Sequence, residues 1–390
     1  MRRLSIVRDL VKLSSIFVIA VCVGPTAVSA QDDARILPLD QGLTLARTMV
    51  DGGPHVLAVV RDAGETVTAV DLSVALAIYP SQPLDLFAGT SLSELVKLVG
   101  DAVSSGQAFD LAKSDLIRPL DTRGQHVATA VNYPAHAVEA GAPPRQPFLF
   151  AKFAPGGPSV AQAADTPGGL FDYEVELGVV VDRPIASAAD LDDAVIGFVL
   201  VTDMTDRYSL VGNLYPGVVK SDAGVASLAI AKSAPDRMQM ANYVVVPFDR
   251  SAFQDQVEIR LAVNGETRQQ ERVSSMTEDA DALIRRSLTA EERRNFSYRG
   301  APIRLLPRGA WEPGMVLLTG TPSGTAFRAP APPDDPAAMS AADIRAAVEA
   351  WADSQRAAGT YLKVGDRIDA SGTYLGSILV EIVPMAGDVN

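Results

Sequence analysis

From about residue 121 onward the chain is a succession of short β-type runs, at residues 127–132, 173–181, 195–202, 257–263, 315–319, 367–370 and 377–383. Long irregular stretches without regular helical periodicity separate them. This pattern constrains the fold more than any other feature. A doubly wound sheet or a TIM barrel needs a regular helix between successive strands. The expected class is therefore α+β and β-rich, built on a mixed, curled sheet. One connection can be read directly: Asn264-Gly265 follows an alternating run and predicts a type I′ hairpin turn.

Two regions stand apart from this β-rich part, which spans residues 121–390. Residues 31–120 read as a small amino-terminal domain. Residues 56–60 and 66–70 flank Asp62-Ala63-Gly64, a hairpin signal, and 91–104 predicts a helix with Leu92, Leu95, Leu98 and Val99 on one face. Residues 328–359 form an excursion. Pro330, Pro332, Pro333 and Pro336 forbid a helix at its start. Ser340 then offers an N-cap with Asp343 in the first turn, and Ile344, Val348 and Trp351 share a face. Such a helix is either surface decoration docked by Trp351 or a lid.

Residues 1–30 have the form of a secretory signal. Arg2, Arg3, Arg8 and Lys12 precede the apolar run 16–23, and Val28-Ser29-Ala30 has the small residues of a cleavage site. The run stops at Gly24-Pro25, well short of the ~20 residues a membrane span needs. The expectation is export to the periplasm or beyond, with no stable membrane insertion after cleavage. Removal of the segment moves the net charge from −13 to −16, because it holds four basic residues and one acid. So acidic a chain does not present a broad nucleic-acid surface. The single cysteine, Cys22, lies within the segment and excludes CxxC zinc sites and disulfides. The only histidines are His55, His126 and His136, so a metal site would rest mainly on carboxylates and favour a hard ion such as Mg2+, Mn2+ or Ca2+.

Candidate chemistry sits in four places. Glu174 and Glu176 alternate along a strand and share a face, with Val175 and Leu177 turned to a core. Alone, such a pair is usually a solvated strand face. Asp203, at the end of the apolar run 196–202, is placed to complete an oxygen-ligand set that leaves positions for water and substrate. His136 and Glu139 stand three apart and meet if the segment is helical, which would orient the imidazole as a base. The small-residue turn 319–324 lets backbone amides approach an anion, but it has neither the spacing of a nucleophile elbow nor the lysine of a P-loop. Lys232 is a further candidate cation for a substrate carboxylate.

Taken in order, these segments resemble the fumarylacetoacetate hydrolase family. The matching pieces are Asn132-Tyr133 with His136 and Glu139, residues 147–152, 172–180 and 197–207, Ala231-Lys232-Ser233, residues 263–266, 320–324 and 362–366. They cover roughly 125–384. The resemblance implies a mixed β-roll catalytic domain, usually homodimeric, with a divalent cation, Mg2+ foremost, on Glu174, Glu176 and Asp203. It makes His136 and Glu139 the water-activating pair and Lys232 the active-site lysine. It places Arg207, Thr321 and Lys152 at substrate-binding positions. The implied reaction is hydrolysis of a C–C bond in an acylpyruvate-like or β-diketone acid, a small 2-oxo or 1,3-dicarbonyl substrate. Decarboxylation, isomerisation or hydratase-type lyase chemistry on a 2-oxoacid is the alternative. A non-catalytic exported binding protein is the reading from another class. Tyr208, Leu210, residues 234–238 and the insertion 328–359 depart from the family pattern, all on the expected substrate side.

Overall fold

The computed structural model describes residues 36–141, 147–165, 168–217, 221–292 and 295–385. The expected signal, 1–30, lies outside the described residues. The β-type runs assemble into two main sheets. The larger has eleven strands. Its path runs Phe109–Ala112, Thr66–Asp71, Gly53–Asp62, Gly42–Val50, Val244–Pro247, Ile196–Thr202, Val175–Val181, Leu317–Leu318, His126–Ala130 and Phe148–Lys152, with Leu116–Ile117 beside Gly42–Val50. All neighbours are antiparallel except Leu317–Leu318 with His126–Ala130, so the sheet is mixed, as the sequence predicts. Because Gly42–Val50 pairs with Val244–Pro247, the amino-terminal strands continue the sheet that carries the candidate site.

The second sheet has five strands, ordered Glu266–Arg272, Glu258–Val263, Arg367–Gly372, Gly376–Val383 and Val160–Ala164. Asn264 and Gly265 turn its first hairpin at φ 52° and 83°, the left-handed pair that a type I′ turn requires. One apolar core joins both sheets. It includes Val175, Leu177, Phe198, Leu200, Ile259, Leu261, Ile378 and Val380, all inaccessible or nearly so. Strand Val175–Val181 is buried along its whole length. The solvated face expected for an isolated Glu-x-Glu is therefore absent at Glu176: elements cover both sides of the strand.

Both helices read from the sequence form, and the cap expected at Ser340 is present. Ser91 and Glu94 make a reciprocal capping box at Leu92–Ser104, and Ser340 and Asp343 do the same at Ala341–Ala358. Shorter helices also fill stretches that read as irregular, among them Arg207–Leu214, Asp222–Ala231 and Ala280–Ser287. Among the described residues no helix is long and apolar enough to cross a membrane.

His126 is a structural histidine. Fully buried in its strand, it places Nε2 2.8 Å from the Ala154 carbonyl and accepts the Val316 amide at Nδ1, which fixes the neutral tautomer with the proton on Nε2. Burial, reinforced by the Lys152 charge, pushes its pKa down from 6.5 to about 4. On acidification the unfolded chain takes up this proton first, so the contribution is fully present above pH 6.5 and is lost as pH falls towards 4. The expected loss is about 3 kcal/mol. Urea unfolding across that window tests this, with His126→Gln expected to flatten the slope. Equal slopes for both proteins would assign the acid sensitivity elsewhere.

Candidate metal centre and catalytic pair

Glu174 stands just before the fully buried strand, Glu176 within it, and Asp203 just after its neighbour Ile196–Thr202. Antiparallel pairing of Val175 with Thr202 brings the three together. One carboxylate oxygen from each lies within 4.8 Å of the others, and the side chains are almost wholly buried, at 2%, 1% and 1% exposure. Hard oxygen ligands at this spacing fit a divalent cation.

The positive groups around the triad are unevenly shared. Lys232, at the C-cap of helix Asp222–Ala231, donates to Glu174 and, at 2.8 Å, to Asp203. Arg207 bonds both Glu174 and Asp172, the latter at 2.8 Å, and its guanidinium lies 4.7 Å from the Phe327 ring centroid. Burial acts to raise the Asp203 pKa, but the Lys152 and Lys232 charges outweigh it and hold the carboxyl below its usual range. Glu176 has no such partner. Its one described hydrogen bond comes from the Gly320 amide, and burial together with Asp203 and Glu174 drives its pKa well above the ordinary value. A carboxylate so placed calls for a cation, so the residues present fit a bound divalent ion.

Helix Pro134–Glu139 brings His136 and Glu139 together as expected, with Nδ1 3.3 Å from Oε2. Glu139 also accepts the Gly324 amide, at 3.1 and 3.2 Å to its two oxygens, the Thr325 hydroxyl at 3.2 Å and Arg328 Nη1 at 3.0 Å. Burial alone would raise its pKa, but His136, the Gly324 amide and Arg328 together lower it. The carboxylate is therefore ionised and fixed, as an imidazole-orienting group must be.

One turn connects the two halves. The amides of Gly320, Gly324 and Ala326 donate to Glu176, Glu139 and Asp172 respectively. Gly324 can be only glycine here: its φ is +106°, and a Cβ would lie 1.9 Å from the Arg268 carbonyl oxygen. Asn132 anchors the turn from the other side by donating to the Thr319 and Glu278 carbonyls.

Two residues expected at substrate play other parts. Lys152 is fully buried, and its ammonium donates to Asp203 at 2.7 Å and to the carbonyls of Lys232 and Arg237. All three protons are committed within the protein. Lys152 thus positions Asp203 and has no donor left for substrate, a correction to its expected role. The Thr321 hydroxyl donates to the Val175 carbonyl at 3.0 Å and accepts from Gln269 at 2.8 Å, so only a lone pair remains for a ligand. Asp172 and Gln269 were not assigned roles from the sequence. Asp172 ties Arg207 to the turn, and Gln269 ties Val175, Thr321 and Pro322 together. Asp172 opens the acidic motif, so its signal was present; Gln269 carried none beyond its place after the Asn264-Gly265 hairpin.

The mixed-sheet α+β scaffold thus buries three carboxylates that could hold a metal ion, and one turn links them to a histidine–carboxylate pair. The profile of the fumarylacetoacetate (FAA) hydrolase C-terminal domain matches residues 125–383, and the chain belongs to that family. A 2,4-didehydro-3-deoxy-L-rhamnonate hydrolase of Sphingomonas sp. (strain SKA58) is 27% identical over 241 residues, 58% of this chain and 74% of the relative. The fold is shared with a maleylpyruvate hydrolase from Sphingobium sp. SYK-6 in complex with manganese(II) and pyruvate, at TM-score 0.54 and 17% identity, covering 87% of this chain and 99% of the other. It is shared too with a 2-hydroxyhepta-2,4-diene-1,7-dioate isomerase from Mycobacterium marinum, at TM-score 0.51 and 19% identity, covering 88% and 99%.

Proposed function

We propose that the protein is a divalent-metal-dependent hydrolase that cleaves a C–C bond in an acylpyruvate-like or β-diketone acid. The observation that carries this reading is the 320–326 turn, whose amides hold Glu176, Glu139 and Asp172 at once and so join the triad and the base in one site. A cation on Glu174, Glu176 and Asp203, Mg2+ foremost and Mn2+ or Ca2+ as alternatives, would supply Lewis-acid polarisation of the substrate's carboxylate and adjacent oxo group. His136, oriented by Glu139, removes a proton from water as the water oxygen adds to the carbonyl of the acyl arm. Collapse of the adduct releases the arm as a carboxylic acid. The bonding pair passes to the 2-oxoacid fragment as an enolate, which the fixed Lys232 charge stabilises. The imidazolium returns the proton to carbon. The rhamnonate-type relative and the manganese–pyruvate complex of the structural neighbour support this choice of chemistry.

The test is a panel of acylpyruvates supplied with Mg2+ or Mn2+. The expected result is stoichiometric release of pyruvate and a carboxylic acid. Complete inactivity with metal bound would overturn the proposal in favour of a binding protein, and rearrangement without acid release would replace it with an isomerase. Export through residues 1–30 and a homodimeric state belong to the same proposal.

A further inference from the structure

A cavity of about 480 Å3 opens beside the residues that cradle Glu139, and the steps above do not use it. Its volume suits the arm of a small substrate. Tyr173 and Thr325 line it. Gln355, from the end of the insertion helix, and Thr360, just beyond it, line it as well. Arg268 and Arg328 also border it. In a chain of net charge −13, the lining carries two arginines against one acid, Glu266.

The arginines are not fully engaged. Arg268 reaches the outward Glu266 through Nη2 at 3.0 Å, while its Nε is buried without a hydrogen-bond partner. Arg328 makes its contacts to Glu139 and to the Thr325 and Phe327 carbonyls through Nη1, leaving the other edge of its planar fork. Tyr173 lines the same cavity and brings a phenol, a hydrogen-bond donor, to it. A guanidinium pair with a phenol beside it matches the two oxygens of a carboxylate.

The insertion builds this wall. Trp351 Nε1 donates to the Arg328 carbonyl at 2.8 Å, and its ring meets Phe327 edge-on at 6.3 Å. Phe327 in turn faces Arg207. Tyr208, one of the departures from the family pattern, bonds Glu349 on the same helix. The helix is thus fixed to Arg328, the first residue of the insertion, and through Phe327 to the arginine that bonds Glu174.

We propose that this cavity is the subsite for the acyl arm and that Arg268 and Arg328 bind a carboxylate at the arm's far end. The substrate is then a diacid, and the insertion 328–359 is the element that selects it. The proposal rests on the reaction above for the reacting end only.

Arg268→Gln is the primary test, because Arg268 touches neither the triad nor the His136–Glu139 pair. Two acylpyruvates of equal length are compared, one ending in a carboxylate and one in a methyl group. The variant is expected to lose roughly tenfold or more in kcat/KM on the carboxylate-ended compound, through KM, and to change little on the other. Gln355→Trp, which fills the cavity, should exclude both long arms and spare acetylpyruvate. Equal losses on both long compounds with Arg268→Gln, or no loss on either, overturn the subsite. Should the wild type turn over neither, the reaction assignment fails, and thermal shift still decides the subsite. Greater stabilisation by the carboxylate-ended compound that Arg268→Gln abolishes supports it; equal stabilisation of both proteins overturns it.

Discussion

Glu176→Gln is expected to yield a folded protein that has lost the divalent-ion binding proposed for the wild type. The substitution keeps the shape of the side chain and the acceptor for the Gly320 amide, and it removes one of three negative charges crowded in a buried site. Without metal, the variant should melt no lower than the wild type, because no cationic side chain loses a partner. The contrast with Asp203→Asn follows from the same contacts. Asp203 carries hydrogen bonds from both Lys152 and Lys232, and its neutralisation leaves two buried ammonium groups short of counter-charge, so that variant should lose stability as well. For Glu176→Gln the loss is confined to ligation. Affinity for Mg2+ or Mn2+ should fall by about 100-fold or more, since changes merely outside a metal's ligand set already cost 10–100-fold. Turnover should fall by roughly 10³ at fixed metal, and the metal-dependent rise in melting temperature should disappear. Titration calorimetry of the dialysed proteins measures the first effect. Undiminished metal binding in Glu176→Gln would remove Glu176 from the ligand set.

The elements legible in the sequence are those whose signal is local. Alternation, a two-residue turn and a helix cap each depend on neighbouring residues, so the Asn264-Gly265 hairpin and the cap at Ser340 appear where their residues place them. Helix Asp222–Ala231 did not, because it is covered nearly all round: Val225, Ser227, Leu228, Ala229 and Ala231 are all buried, and no polar face marks its period. The edge-to-edge joining of Gly42–Val50 to Val244–Pro247 is a pairing across some two hundred residues that no local pattern records. The site divides in the same way. The spacing of His136 and Glu139 sufficed for a helical pair, and alternation sufficed for Glu174 and Glu176. The fate of a lysine proton is not a matter of spacing. Lys152 and Lys232 both lie in family-like segments, yet one donates wholly inward and the other reaches two carboxylates of the triad, a difference set by which carbonyls the fold leaves nearby.

His136→Ala should lower hydrolysis by about 10²–10⁴-fold, the usual effect of removing a positioned general base. The expected loss is chemical rather than structural. Glu139 retains the Gly324 amide, the Thr325 hydroxyl and Arg328, so the carboxylate is not left unpartnered when the imidazole goes. The triad shares no described hydrogen bond with His136, and metal content should be unchanged. The informative comparison is between two reactions of one protein. Water addition needs a base, whereas loss of CO2 from a 2-oxoacid with a 3-carboxylate needs only a group that accepts the developing enolate charge, a role that Lys232 and a cation held by the triad would fill without His136. His136→Ala should therefore keep whatever oxaloacetate decarboxylation the wild type shows, within about threefold, while acylpyruvate hydrolysis collapses. Parallel loss of both activities would mean that His136 serves the site's architecture. Hydrolysis at the wild-type rate would mean that the water is activated by another group, and the role assigned to the pair with Glu139 would fall with it.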